Sequence, residues 1–252
     1  MAPALLLSER APFPDDPFPL LEHGTIEGIE LIPWGSNYTF AALITGETDE
    51  RCFGVYKPRR GEVPLRDFPN GTLYKREVAA YRLARHLGWD MVPPTVIREE
   101  APHGIGSLQL YVEPRTGPAG QYERLSQSHA CDLQRMAVFD LLANNADRKG
   151  GHCLLDIRDR VWGIDHGLTF HHVPKLRTVI WEFCGEQFPA ELVEDLHALR
   201  THRKRMRALM QDLAALLSDQ ELQALIQRWD RLLANPCFPN LDPYRNVPWP
   251  PF

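Results

Sequence analysis

Residues 141–168 constrain this chain more than any other stretch. Leu141-Leu142-Ala143-Asn144-Asn145-Ala146-Asp147-Arg148-Lys149-Gly150-Gly151-His152 carries an apolar run into a polar loop. Cys153 to Ile157 is apolar except for Asp156, Arg158-Asp159-Arg160 reads as a turn, and Val161 to Ile164 is apolar again, which predicts a short β-hairpin. Asp165-His166-Gly167 follows directly. Two aspartates therefore flank one small hairpin. One such carboxylate can orient a nucleophile, and the other can hold a divalent metal on phosphates.

The rest of the chain divides around this block. Residues 26–32, 38–45 and 51–57 carry strand patterns separated by turns. Residues 58–71, rich in Pro, Gly and charge, read as an exposed loop. Residues 73–87 form a helix whose apolar stripe is Leu73, Val78, Tyr81, Leu83, Ala84 and Leu87; Thr72 can cap it and Gly88 ends it. Residues 95–99 and 108–113 are a fourth and fifth strand. Residues 114–120 form a turn-rich connector, which predicts a boundary between a sheet-plus-helix half, 1–113, and a mainly helical half, 114–252. In the second half, residues 129–142 form a buried helix leading into the Asn-rich loop. Residues 168–188 are irregular, and residues 190–217 form one or two helices. Ser218-Asp219-Gln220-Glu221 is a capping box, stapled by Leu217 and Leu222, that opens a last helix running to about Ala234. The fold class is α+β.

Composition narrows the function classes. With 252 residues, 44% of them hydrophobic, the chain can bury a sizeable core. A net charge of -5 supplies no basic field, so no nucleic-acid partner is expected. Five scattered cysteines, without metal-knuckle spacing, fit a reduced, cytoplasmic protein. No stretch reaches the roughly 18–20 apolar residues of a membrane span, so no stable membrane insertion is expected. Of 22 prolines, many lie at 12–19 and 236–251, which read as extended arms. His166, His171 and His172 lack the spacing of a metal cluster. The basic run at 200–207 reads as a solvated helix face, and Cys153 and Cys184 as small buried residues.

Phosphoryl transfer needs a lysine on the phosphates, an acid to orient it, oxygen ligands for metal and an aspartate at the attacking hydroxyl. The chain offers them in order: Lys57 at the end of the third strand, Glu77 on the following helix, then Asp147 and Asp165. Lys57, Glu77, Asn145-Ala146-Asp147-Arg148 and Ile164-Asp165-His166-Gly167-Leu168 together resemble the phosphatidylinositol 3-/4-kinase superfamily over about residues 28–190. Small actinobacterial proteins of that kind look similar, and HipA-type kinases share the Asn-Asn-x-Asp style of loop.

The resemblance implies a two-lobed protein-kinase-like fold and an ATP-dependent phosphotransferase using Mg2+ or Mn2+. It implies that Lys57, oriented by Glu77, holds the α/β-phosphates, with Ser36 and Asn37 after Gly35 as a sparse phosphate loop. Adenine would lie against Leu110, Tyr111 and Val112, with edge contacts from the backbone of Val112 and Glu113. Asp165 would bind metal with His152 near it, Asp147 would orient the acceptor hydroxyl, and Lys149 would stabilise the moving phosphoryl group. His152 departs from the pattern, since kinases place an asparagine five residues after the catalytic aspartate. That departure, with the sparse phosphate loop, keeps a nucleotide-binding pseudokinase, an interaction module, open as an alternative. An adenylyltransferase on the same fold is another. The segment 168–188 sets Lys175 and Arg177 against Glu182 and Glu186. The expected acceptor is therefore a protein hydroxyl or a small metabolite rather than a phosphoinositide.

Overall fold

Five strands form one antiparallel sheet in the order β1-β2-β3-β5-β4. They are β1 (Thr25–Ile32), β2 (Thr39–Thr45), β3 (Arg51–Pro58), β4 (Thr95–Arg98) and β5 (Gly106–Leu110). The structure is a computed structural model that describes residues 14, 16–33, 35–47, 50–117 and 120–251. The chain divides into two compact units, Met1–Val78 with Pro93–Val112, and Ala79–Val92 with Glu113–Phe252. Helix α2 (Leu73–Leu87) thus starts in the first unit and ends in the second. A boundary drawn from the connector alone, at 113/114, leaves all of that helix with the sheet.

In the first unit the pleat sorts residues by parity. Ala42, Ile44, Cys52, Tyr56, Val96, Leu108 and Leu110 share one core cluster with Leu20 and Leu21. Those two leucines come from helix α1 (Phe18–His23), where the sequence predicts an extended arm. Pro19 lies in the helix's first turn, where a missing N–H breaks no intrahelical bond. Burial of Leu20 and Leu21, at 3% and 0% exposure, contributes about 1.5–3 kcal/mol each. Pro12 lies outside the described residues. At the start of α2 the cap comes from a distance. The Tyr74 N–H donates to Glu62 Oε1 at 2.9 Å, placing an anion at the positive helix end. The Thr72 hydroxyl donates instead to the Pro69 carbonyl.

The second unit holds α3 (Tyr122–Ser128), α4 (Ala130–Ala143), the hairpin β6 (Cys153–Leu155) and β7 (Val161–Gly163), and three further helices. These are α5 (Ala190–Thr201), α6 (Arg203–Ala214) and α7 (Asp219–Ala234). The hairpin is antiparallel, pairing Cys153 with Gly163 and Leu155 with Val161. Residues 190–217 resolve into two helices because His202 leaves the helical region and its side chain accepts the Arg205 N–H. The capping box forms: the Ser218 N–H donates to Glu221 Oε2 at 2.9 Å, and the Glu221 N–H to Ser218 Oγ at 3.4 Å. Trp229 of α7 is fully buried, and Arg228 donates to the Leu142 carbonyl at the end of α4. Helix α3 is not marked by the sequence pattern. Residues 168–188 carry no regular element, as expected. Among the described residues no helix is long and apolar enough to cross a membrane.

Candidate active site

Lys57 and Glu77 meet within the first unit. Lys57 Nζ lies 2.5 Å from Glu77 Oε1, with Glu77 3% exposed and Lys57 22%. Register sets which residues share the Lys57 face. Lys57 pairs with Ser107, Val55 with both Gln109 and Ala41, and paired residues point the same way. Leu110 pairs with Gly54, an odd spacing from Lys57, so it points to the opposite face. Its side chain belongs to the sheet core at 2% exposure. This corrects the placement of Leu110 against adenine; parity brings Val55, Ala41 and Gln109 to the lysine's face instead. Strand β5 ends at Leu110, so buried Val112 and exposed Glu113 lie beyond it. In the β1–β2 turn Gly35 has φ 102, Ser36 is exposed, and Asn37 Oδ1 accepts the Val63 N–H at 2.7 Å. The Asn37 carbonyl oxygen is thus engaged in holding the 61–63 segment.

The Asn-rich loop of the second unit is built from its own side chains. Helix α4 ends at Asn144, whose backbone is left-handed at φ 54. Its amide donates to the His171 and Val173 carbonyls and its Oδ1 accepts the Lys175 N–H, each at 2.8 Å. Asn145 donates to Asp140 Oδ1 at 2.9 Å and accepts the Asp147 N–H at 3.0 Å. Arg148 is fully buried and forks onto Asp140, at 2.7 Å through Nε and 2.9 Å through Nη2. Its remaining donors reach the His152 carbonyl, the Ile164 carbonyl and His166 Nε2. Burial works against the Arg148 charge, yet the Asp140 carboxylate outweighs it and the net direction is upward. One guanidinium thereby joins the helix, the loop and both ends of the hairpin.

Around this frame stand the candidate reactive groups. Lys149 Nζ lies 3.2 Å from Asp147 Oδ2, and both side chains are 22% exposed. Burial raises the Asp147 carboxyl above the usual carboxylate range; Lys149 and Arg177 oppose the rise and Asp165 adds to it. His152 Nε2 lies 3.3 Å from Asp165 Oδ2. His152 Nδ1 lies 2.9 Å from the Asp147 carbonyl, which can only accept, so Nδ1 carries a proton. The Lys149 N–H approaches the same nitrogen from 3.4 Å, a contact the shorter one overrides. Nε2 is then presented towards Asp165 with its tautomer fixed by a backbone carbonyl, as in metal-bound histidines. Asp165 itself is left-handed at φ 58, and so is fully buried Phe170 at φ 62.

One imidazole nitrogen and one carboxylate oxygen that close make a two-ligand set for a divalent ion, and the imidazole suits Mn2+ better than the oxygen-preferring Mg2+. No group of three or more His, Cys, Asp or Glu able to hold a metal occurs among the described residues. His171 and His172 stack on each other at 4.5 Å. Burial pushes the Cys153 thiol up to about 12, consistent with an inert packing residue. The sequence motif contains Asn144, Asn145 and Arg148 without giving them a framing role, and it misses Asp140. A carboxylate inside the apolar run of α4 is the signal that marks Asp140.

Comparison with known proteins adds fold and kinship. No protein-family model matches the chain. Protein Rv2133c of Mycobacterium tuberculosis is 38% identical over 272 residues, which cover 94% of this chain and 96% of that protein. The structure of a hydra Fam20 protein with sugar superposes with a TM-score of 0.57 at 16% identity, over 85% of each chain. The proinflammatory kinase CtkA of Helicobacter pylori superposes with a TM-score of 0.52 at 11% identity, over 84% of this chain and 92% of that one. The fold is therefore α+β and kinase-like.

Proposed function

The chain belongs to the family of the mycobacterial Protein Rv2133c, and within that family we propose that it is an ATP-dependent phosphotransferase. The carrying observation is the cluster in which Asp147 pairs with Lys149 while His152 faces Asp165. The Lys57–Glu77 pair and the fold shared with CtkA support the same reading. The residue order also favours the phosphatidylinositol 3-/4-kinase-like superfamily.

Lys57, held by Glu77, neutralises the α/β-phosphates. Asp165 and His152 hold the divalent ion, which when bound offsets charge on the phosphate oxygens. Asp147 accepts a hydrogen bond from the acceptor hydroxyl and aims it, and Lys149 stabilises charge on the transferring group. The acceptor is a protein hydroxyl or a small metabolite. Asp147→Ala should lower transfer of labelled phosphate from ATP by about a thousandfold or more, since its role is confined to the transfer step. The thermal shift produced by ATP with Mn2+ should persist. Undiminished transfer by that variant would overturn the assignment. An ATP-induced shift in the parent chain without any transfer would favour the nucleotide-binding module, for which His152 in place of an oxygen ligand is the motivating feature. Transfer of AMP rather than phosphate would identify the adenylyltransferase.

A further inference from the structure

Among the described residues, the chain beyond α7 carries no helix or strand, yet it makes ordered contacts with the site. The Gly185 N–H donates to the Phe238 carbonyl at 3.0 Å and the Phe238 N–H to the Glu186 carbonyl at 2.9 Å. The Phe238 ring packs edge-on to Phe188 at 4.7 Å, which anchors the segment. Farther along, Asn246 grips the backbone on both sides of Arg177. Its Nδ2 donates to the Leu176 carbonyl at 2.7 Å, and its carbonyl accepts the Thr178 N–H at 2.8 Å. Its Oδ1 accepts the Asp242 N–H at 2.9 Å, so the amide cannot swing away without losing two bonds. The Pro251 carbonyl accepts the Gly150 N–H at 3.0 Å.

These contacts end one residue from the reactive groups. The Arg177 N–H donates to the Asn145 carbonyl, and the Arg148 N–H donates to the Arg177 carbonyl. Asn145 in turn holds the Asp147 N–H. Gly150 follows Lys149, the ion-pair partner of Asp147. Asp147 is thus flanked by two anchor points, one reached through Arg177 and one at Gly150, and both are tied to the terminal arm.

We propose that residues 236–251 are a positioning arm, with Asn246 and the Pro251 carbonyl fixing the loop that carries Asp147 and Lys149. The inference rests on the phosphotransferase reading for its consequence, but not for its geometry. The full chain should be compared with Asn246→Ala, with a chain ending at Pro248, and with Tyr244→Ala. Tyr244 is 96% exposed on the same arm and serves as the control. Amide hydrogen exchange should speed up about tenfold at Thr178 and Arg177 in Asn246→Ala, and at Gly150 in the shortened chain. Amides of α7 should keep their rates, and Tyr244→Ala should change nothing. Phosphate transfer should fall about tenfold in kcat with the KM for ATP within about twofold, the signature of a misaligned transfer group. Unchanged exchange at these amides, or an equal loss of protection throughout α7, would overturn the proposal. So would full kcat in a variant whose loop exchange had risen. A parent chain without transfer would defeat the kinase reading, and the exchange measurement would still decide whether the arm fixes the loop.

Discussion

The loop at 144–152 and the turn at 35–38 are both expected to serve phosphate, yet they are built in opposite ways. The loop is held by side chains that are themselves buried: Asn144, Asn145, Asp140 and Arg148 are each at most 3% exposed. The turn has exposed Ser36, a left-handed Gly35 and two bonds to a single neighbouring segment, the Val63 N–H donating to Asn37 Oδ1 and the Tyr38 N–H to the Gly61 carbonyl. The difference teaches where geometry matters. A group that must aim a hydroxyl needs its frame fixed within fractions of an ångström, whereas backbone amides that cradle a phosphate can adjust to it.

The largest effect should come from breaking the loop's frame. Arg148→Met leaves Asp140 charged in the interior without a counter-ion, held only by the Asn145 amide, at a cost of about 3–5 kcal/mol, measurable by urea unfolding. Adding Asp140→Leu removes the orphaned charge, so the double variant should regain much of that stability. A double variant as unstable as the single would show that packing, not charge, holds the loop. Next in size, Lys149→Ala should lower transfer about a hundredfold. Lys149 opposes the upward displacement of the Asp147 carboxyl, so its loss should move the acidic limb of the pH–rate profile to higher pH. A limb that stays in place would separate Lys149 from Asp147.

The same displacement has a stability sign. A carboxyl raised by burial is disfavoured when ionised, so its penalty is present at neutral pH and fades as pH falls through the folded value. Asp147→Asn should therefore raise the melting temperature at pH 7 while abolishing transfer, and the gain should shrink in acid. The smallest effect belongs to the turn. Asn37→Ala should cost about 0.5–1.5 kcal/mol through the Val63 N–H, and Ser36→Ala less than about 0.5 kcal/mol. A large stability loss from Ser36→Ala would mean that the turn is framed as tightly as the loop.

Much of the architecture was legible because local rules speak for themselves. Alternation marks β1 to β5, Gly88 ends α2, and Ser218 with Glu221 opens α7. Order along the chain was enough to suggest Lys57 for Glu77. What was hidden depends on partners distant in sequence. Glu62 caps α2 from a loop, Leu110 turns to the core by parity with Gly54, and the α1 leucines fill a sheet whose strands come later. Arg148 stands in the Asn145-Ala146-Asp147-Arg148 motif, but its burial stays hidden because it follows from Asp140 and two carbonyls across the hairpin rather than from its neighbours.

Phe170 carries a consequence for how the site can drift. A bulky residue in the left-handed region costs about 1–3 kcal/mol of backbone strain, and here its ring is wholly buried. Glycine would relax the backbone and vacate the ring's space; alanine would keep most of the strain and vacate it too. Neither single step is neutral, since emptying such a site costs about 3–5 kcal/mol. The residue that suits the cavity is wrong for the chain direction, and the residue that suits the direction is wrong for the cavity. Substitution there has to be accompanied by a second change in the packing around it, which makes this turn, five residues beyond Asp165, a slow point in the diversification of the chain.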